Sequence, residues 1–193
     1  MLDRARKGRE QSPSAAVIDS RSIKAPAAQS RGFDAGKKVL DRKCYIAVDT
    51  DGRLLMVNLT TADISDSAGA QAIVATIRER WPWLKHLFAD GDDDRTKLMD
   101  AAVYRNFVLE MICCSHNEAG FKVLPRRWVV ERTFGWITRW KRLVRDCKQR
   151  IDVSDAMIHV ALGSLMLRRI VHPRAFSNGL LALPARSSDK GSS

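Results

Sequence analysis

Apolar residues fall in short runs through the first half of the chain and at helical spacing through the second. Ala15-Ala16-Val17-Ile18 closes on Asp19 and reads as a buried strand with a carboxylate at its end. Cys44 to Val48 and Arg53 to Leu59 flank Asp51-Gly52, a dipeptide suited to tight hairpins, so these runs are expected to pair antiparallel. Ala70, Ile73, Val74 and Ile77 recur at three- and four-residue steps, which predicts a helix over 67–80, entered through Ser65 or Asp66 and closed by Pro82. Leu84 to Ala89 is a fourth strand ending at Asp90-Gly91, residues 95–106 suit a helix, and Phe107 to Cys114 is a fifth strand. Pro125 opens a long amphipathic helix running to about Asp146. Residues 154–171 form a last helix, apolar on most sides and so expected in the core. Residues 25–43 have no period and read as loop. The expected organisation is a flexible segment over 1–14, one domain over 15–171 and a disordered tail over 172–193.

Strand, hairpin, helix, strand, helix, strand, helix predicts an α/β protein with a mixed sheet and helices on both faces. It is the element order of an RNase H-like fold with five strands. If strands one and four are parallel neighbours, Asp19 and Asp90 emerge at one edge of the sheet, and the helix after strand five can lay Glu131 across it. Three carboxylates so placed repel and raise each other's pKa, and divalent cations relieve that repulsion. Hard oxygen donors suit Mg²⁺ or Mn²⁺. Two such ions about 3.5–4 Å apart activate a water or hydroxyl and stabilise the leaving oxygen of a phosphodiester. Each acid also has a plainer reading: Asp19 and Asp90-Gly91 as turn residues, and Glu131 as the partner of Arg127 four residues earlier.

Charge names the partner. The 193 residues carry a net charge of +11, with 45% apolar and 28% charged side chains, enough to bury a core. Residues 1–43 hold a net +6, residues 44–121 a net −5, residues 122–150 a net +8 and residues 151–193 a net +2. An acidic centre between basic segments is what metal-dependent chemistry on a nucleic acid needs. Arg127, Arg132, Arg139, Lys141, Arg142 and Arg145, followed by Lys148 and Arg150, give the long helix a phosphate-binding surface. Lys37, Lys38, Arg42 and Lys43 read as a second basic patch, with DNA contact and a solvated loop as its two readings. Trp136 and Trp140 are expected to pack with Val130, Phe134 and Ile137; stacking of a tryptophan on an unpaired base is the other reading. Cys44, Cys113, Cys114 and Cys147 contain no Cys-x-x-Cys pair and read as reduced thiols rather than a zinc site. His86, His116, His159 and His172 lie apart and are not read as ligands. No apolar run reaches the ~20 residues of a bilayer span, and the N-terminus lacks the apolar core of a signal peptide. A cytoplasmic, nucleoid-associated protein without a membrane partner is therefore expected.

The stretch Pro125-Arg126-Arg127-Trp128-Val129-Val130-Glu131-Arg132-Thr133-Phe134-Gly135-Trp136 closely resembles the catalytic-helix signature of bacterial insertion-sequence DDE transposases. VIDSRSIK, AVDTDGRLL, TADISDSAGA and FADGDD are similar to that family's successive blocks, and the resemblance spans residues 9 to about 171. It implies an RNase H-like enzyme that nicks DNA at element ends and joins the freed 3′-hydroxyl to target DNA, using Mg²⁺. Its DDE triad maps onto Asp19, Asp90 and Glu131, with Asp49 of VDTDG as a rival for the first position. The implied partner is double-stranded DNA, element ends and target, with a homodimer on DNA as the accompanying assembly. The resemblance further implies an N-terminal DNA-end-binding region supplied by another frame, and this sequence is expected to be the second frame of a split element or a truncated copy. Three positions depart from the family pattern. Leu124 stands where a Tyr is common, Thr138 where a Lys is common (with Arg139 adjacent), and Asp92-Asp93-Asp94 follow Asp90-Gly91 where Gly-Tyr is common. Extra carboxylates beside a ligand can misplace a metal, so a catalytically inactive DNA-binding remnant is the alternative expectation.

Overall fold

Val17 and Ile18 sit back to back at the centre of the sheet, and each belongs to a different hydrophobic core. The structure, a computed structural model, describes residues 2–26, 30–90, 95–112 and 125–172. Its elements are α1 (Leu2–Ala5), β1 (Ala15–Ile23), β2 (Gly32–Asp34), β3 (Val39–Asp49), β4 (Leu54–Thr61), α2 (Asp66–Arg80), β5 (His86–Asp90), α3 (Arg95–Tyr104), β6 (Val108–Ile112), α4 (Pro125–Thr138), α5 (Lys141–Val144) and α6 (Ile151–Val171). β3 runs antiparallel to both β1 and β4, whereas β5 joins β1 in parallel and β6 joins β5 in parallel. The main sheet is therefore ordered β4-β3-β1-β5-β6, the mixed five-stranded arrangement expected, with short β2 added to the start of β3.

Alternation along the strands sends one set of side chains to each face. Ile18, Tyr45 and Leu87 pack under α2 and α3 with Ile73, Val74, Ile77 and Leu98. Val17, Ile46 and Phe88 pack on the other face with Val130, Phe134 and Ile137 of α4 and Ile158 and Leu162 of α6. Ser65 caps α2 by accepting from the Ala68 N–H at 3.2 Å, as its position before the apolar period predicts. Gly69 lets α2 settle on the sheet, because a Cβ there would lie 2.1 Å from Cζ of Tyr45. Gly52, at φ +79°, turns the β3–β4 hairpin where Asp51-Gly52 was expected to turn it.

Four features differ from the sequence reading. β1 runs on to Ile23, so Asp19 is mid-strand rather than at its end; the second half of β1 pairs with β3 alone. β2 and the start of β3 fall within the stretch read as loop. The long helix breaks after Thr138 although no proline or glycine stands there, because the chain beyond it is held elsewhere. There the Asp146 N–H donates to the Lys24 carbonyl at 2.7 Å, and the Asp146 carboxylate meets Arg42. The N-terminal stretch read as loose carries α1, whose Arg4 is buried against Asp49 at 2.6 Å.

Arg42, fully buried, is the largest correction to the charge reading. Its guanidinium donates to Asp146 at 2.7 Å, to the carbonyls of Ser30 at 2.9 Å, Gln149 at 2.6 Å and Lys148 at 3.2 Å, and to both the Ser30 and Ser154 hydroxyls. Lys43 is also buried, bonded to the Ile64 carbonyl and paired with Asp34 at 3.2 Å and Asp66 at 3.5 Å. These two cations staple the sheet to its surroundings and do not form a basic patch.

Candidate active site

β1 and β5 lie in parallel register up to the pair Ile18–Ala89, and Asp19 and Asp90 are the next residues on each strand. On the far side of β5, Asp90 is in register with Ile112 of β6. The acidic positions thus stand side by side where the parallel part of the sheet ends, on strands about 4.8 Å apart. Asp19 is half-buried and its Oδ1 accepts from the Ser20 N–H at 2.7 Å. A cleft opens at this edge, lined by Val17, Ile18, Asp19, Ile112, Arg127 and Val130.

α4 closes one wall of that cleft because of its sequence period. Val130, Phe134 and Ile137 turn into the core, which anchors the helix on Val17 and Phe88. Arg127 and Glu131, one turn apart, share a stripe beside the buried one. Arg127 donates through Nε to Glu131 Oε1 at 3.0 Å, with both side chains partly exposed. The plainer reading of Glu131 is thus present in the structure: it forms the helix pair with Arg127. Such a pair contributes at most about 0.5 kcal/mol and leaves the carboxylate accessible.

Asp49, the rival first acid, occupies a different place. It is fully buried and in register with Ala16, three residues before Asp19 on β1. Its carboxylate accepts from Arg4 at 2.6 Å, from Arg53 at 3.0 Å, and from the N–H groups of Asp51 and Arg53, both at 2.9 Å. A carboxylate so saturated anchors the hairpin and has no coordination site to offer. Beside it, burial works to raise the Asp51 carboxyl, but the Arg53 hydrogen bond and charge, with Arg9 and Lys7, hold it below its ordinary value.

The donor chemistry of the Asp19 edge fits a hard divalent cation: two acidic backbone positions adjoin on neighbouring strands, with a third acid one helix away. Among the described residues no group of three His, Cys, Asp or Glu side chains forms a ready-made metal cluster. The side chain of Asp90 and residues Asp92 to Asp94 lie outside the described atoms.

The cations expected to meet DNA divide into two groups. Arg139, Lys141, Arg142 and Arg145 are exposed around the α4–α5 junction. Arg132 is instead turned toward the hairpin: its Nη2 donates to the Asp51 carbonyl at 3.2 Å, and its guanidinium stacks 4.8 Å from the Trp136 ring. Arg169 of α6 covers the same ring at 4.2 Å. Trp136 therefore packs between two guanidinium groups outside the core, where cation–π attraction takes the place of apolar burial. Trp140 and Trp128 are 38% and 48% exposed, so neither belongs to the core. Sequence reasoning missed the Arg42–Asp146 and Arg4–Asp49–Arg53 clamps. Their one visible signal was charge at the ends of an otherwise apolar strand.

No helix among the described residues is long and apolar enough to cross a membrane. A search of curated proteins found no significant match. Among solved structures, the chain is similar to the HTLV-2 integrase catalytic core domain in complex with magnesium (dimeric form). The two are 16% identical over 81% of this chain and 89% of that one, with a TM-score of 0.52. It is also similar to a chain of the simian T-cell lymphotropic virus intasome in complex with PP2A regulatory subunit B56 gamma, at 15% identity and a TM-score of 0.53. There it covers 81% of itself but spans only 49% of the viral chain. At such identities these likenesses speak for the fold, an RNase H-like core. The family model described as Transposase DDE domain matches residues 10–166, most of the chain, and the protein belongs to that family.

Proposed function

We propose that this chain is the catalytic domain of an insertion-sequence transposase, cutting DNA at element ends and transferring the cut strand to target DNA with divalent metal. The observation that carries the reading is the register of β1 and β5, which makes Asp19 and Asp90 neighbours at one sheet edge beneath the helix that bears Glu131. Asp19, Asp90 and Glu131 would hold Mg²⁺ or Mn²⁺. When bound, such an ion supplies Lewis-acid polarisation of a phosphodiester and lowers the pKa of an attacking water or hydroxyl. The protein's own residues do the rest. The Ser20 N–H fixes the Asp19 carboxylate, and the apolar packing of Val130 and Phe134 fixes the height of Glu131 above the sheet. Arg127, in the cleft, is positioned to neutralise a phosphate oxygen beside the acids. Release of Glu131 from Arg127 costs little, so the observed pair does not oppose this role.

Exposed Arg139, Lys141, Arg142 and Arg145 would track the DNA backbone away from the acids. Each phosphate neutralised steepens the fall of log affinity with log salt by about 0.9, so four contacts give a slope of about −3.6. Fluorescence anisotropy with duplex DNA should show that slope, and Arg142→Ala should reduce its magnitude by about 1. Affinity independent of salt would contradict the assignment. Tight binding without cleavage by the unmutated chain, with any DNA-end-binding region supplied in trans, would instead favour an inactive DNA-binding remnant.

A further inference from the structure

The two residues that follow Glu131 on α4 rest on the β3–β4 hairpin. Arg132 Nη2 donates to the Asp51 carbonyl at 3.2 Å. Thr133, fully buried, has its hydroxyl 3.4 Å from the Gly52 carbonyl. The approach is close enough to require glycine: a Cβ at Gly52 would lie 2.8 Å from Thr133 Oγ1 and 3.0 Å from the Trp136 ring.

The hairpin that receives α4 is itself locked. Asp49, fully buried, accepts from the N–H groups of Asp51 and Arg53 through Oδ1 and from Arg4 and Arg53 through Oδ2. Arg53 also donates to Asp51 at 2.6 Å, and the Gly52 N–H donates to the Asp49 carbonyl at 2.9 Å. Asp-Gly favours a turn by itself, so what the clamp adds is a fixed place for the Asp51 and Gly52 carbonyls.

That fixed place supplies what the apolar stripe of α4 lacks. Val130, Phe134 and Ile137 hold the helix at its height over the sheet. Apolar burial is non-directional, so it leaves sliding along the helix axis and rotation about it soft. A hydrogen bond and a glycine-width contact are directional and oppose both motions. Among the described residues, Arg132 Nε is a buried nitrogen left without a hydrogen-bond partner. A buried donor left unmet works against stability, so stability alone does not account for this contact.

We propose that the hairpin is the seat that sets the advance and rotation of α4, and with them the place of the Glu131 carboxylate relative to Asp19. Asp49 and Arg132 are then positioning residues, Asp49 by shaping the seat and Arg132 by engaging it. The inference rests on the reading of Asp19, Asp90 and Glu131 as a metal site. Mg²⁺ and Mn²⁺ favour octahedral oxygen coordination, so a ligand displaced by about 1 Å binds poorly.

Mn²⁺ alone, titrated into the full chain well below its thermal midpoint, reads the site without DNA or turnover. Arg132→Met should weaken Mn²⁺ binding by about tenfold or more, with the salt slope of duplex binding unchanged. Removing a nearby positive charge would by itself strengthen cation binding, so weakening reports position. Asp49→Asn should weaken Mn²⁺ binding less than Asp19→Asn does; an equal loss would make Asp49 a ligand. Arg132 is partly exposed, so its substitution tests the seat even where Asp49→Asn fails to fold. Unchanged Mn²⁺ affinity in Arg132→Met would overturn the proposal. A lower thermal midpoint would then make the contact merely structural, and a salt slope reduced by about 0.9 would make Arg132 a phosphate contact. Failure of the unmutated chain to bind Mn²⁺ would instead overturn the metal reading, and the seat with it.

Discussion

Glu131→Gln should lower Mg²⁺-dependent cleavage of element-end DNA by about a thousandfold or more, while unfolding stability moves by less than about 1 kcal/mol. The two readouts separate the readings of this residue. As half of a partly exposed pair with Arg127, Glu131 contributes tenths of a kcal/mol to the helix, and its loss would not touch chemistry. As a ligand, its charge is what the isosteric amide lacks. The same change relieves repulsion among neighbouring carboxylates, so stability holds or rises slightly. Cleavage is measured with any DNA-end-binding region supplied in cis or in trans. Full cleavage by Glu131→Gln would remove this residue from the site.

Arg42→Met should destabilise the fold by about 3–5 kcal/mol, which for a chain of this size lowers the thermal midpoint by roughly 10 °C. The reason is asymmetry. The buried pair contributes modestly as a pair, but removing the guanidinium leaves the carboxylate of Asp146, a residue only 4% exposed, with Lys148 Nζ at 4.0 Å as its remaining cation. The carbonyls of Ser30, Lys148 and Gln149 lose their donor at the same time. Arg42→Lys should rescue little, because one ammonium cannot reach the partners that the planar fork spans. Denaturant unfolding gives the number, and a loss below about 1 kcal/mol would show that the clamp is dispensable. The effect reaches the active site, since Asp146 ties the segment after α4 to β3 and so helps set the helix that bears Glu131.

Local signals carried most of the fold. The apolar runs, the Asp51-Gly52 turn and the Ser65 cap each act within a few residues, and each stands where the pattern put it. What failed depended on residues distant in sequence. β1 reads as ending at Asp19 because Ser20, Arg21 and Ser22 are polar, yet β3 supplies their pairing partners from Tyr45, Cys44 and Lys43. Trp136 reads as core from its spacing, but Arg132 of its own helix and Arg169 from another sandwich the ring in a partly exposed position. Arg42 reads as one more cation in a basic stretch until Asp146, more than a hundred residues on, is seen to meet it. The adjacency of Asp19 and Asp90 was legible for a different reason. It needs only that strands one and four be parallel neighbours, which the order of elements predicts and the register shows.

Divalent metal is proposed to bind at the edge shared by β1 and β5. A crystal soaked in Mn²⁺ tests it most directly, through the anomalous signal of the ion. A peak is expected in contact with the carboxylates of both Asp19 and Asp90, at roughly 2.1–2.3 Å from their oxygens, and should be lost in Asp19→Asn. Ordered Asp19 and Asp90 carboxylates with no peak between them at saturating Mn²⁺ would contradict it.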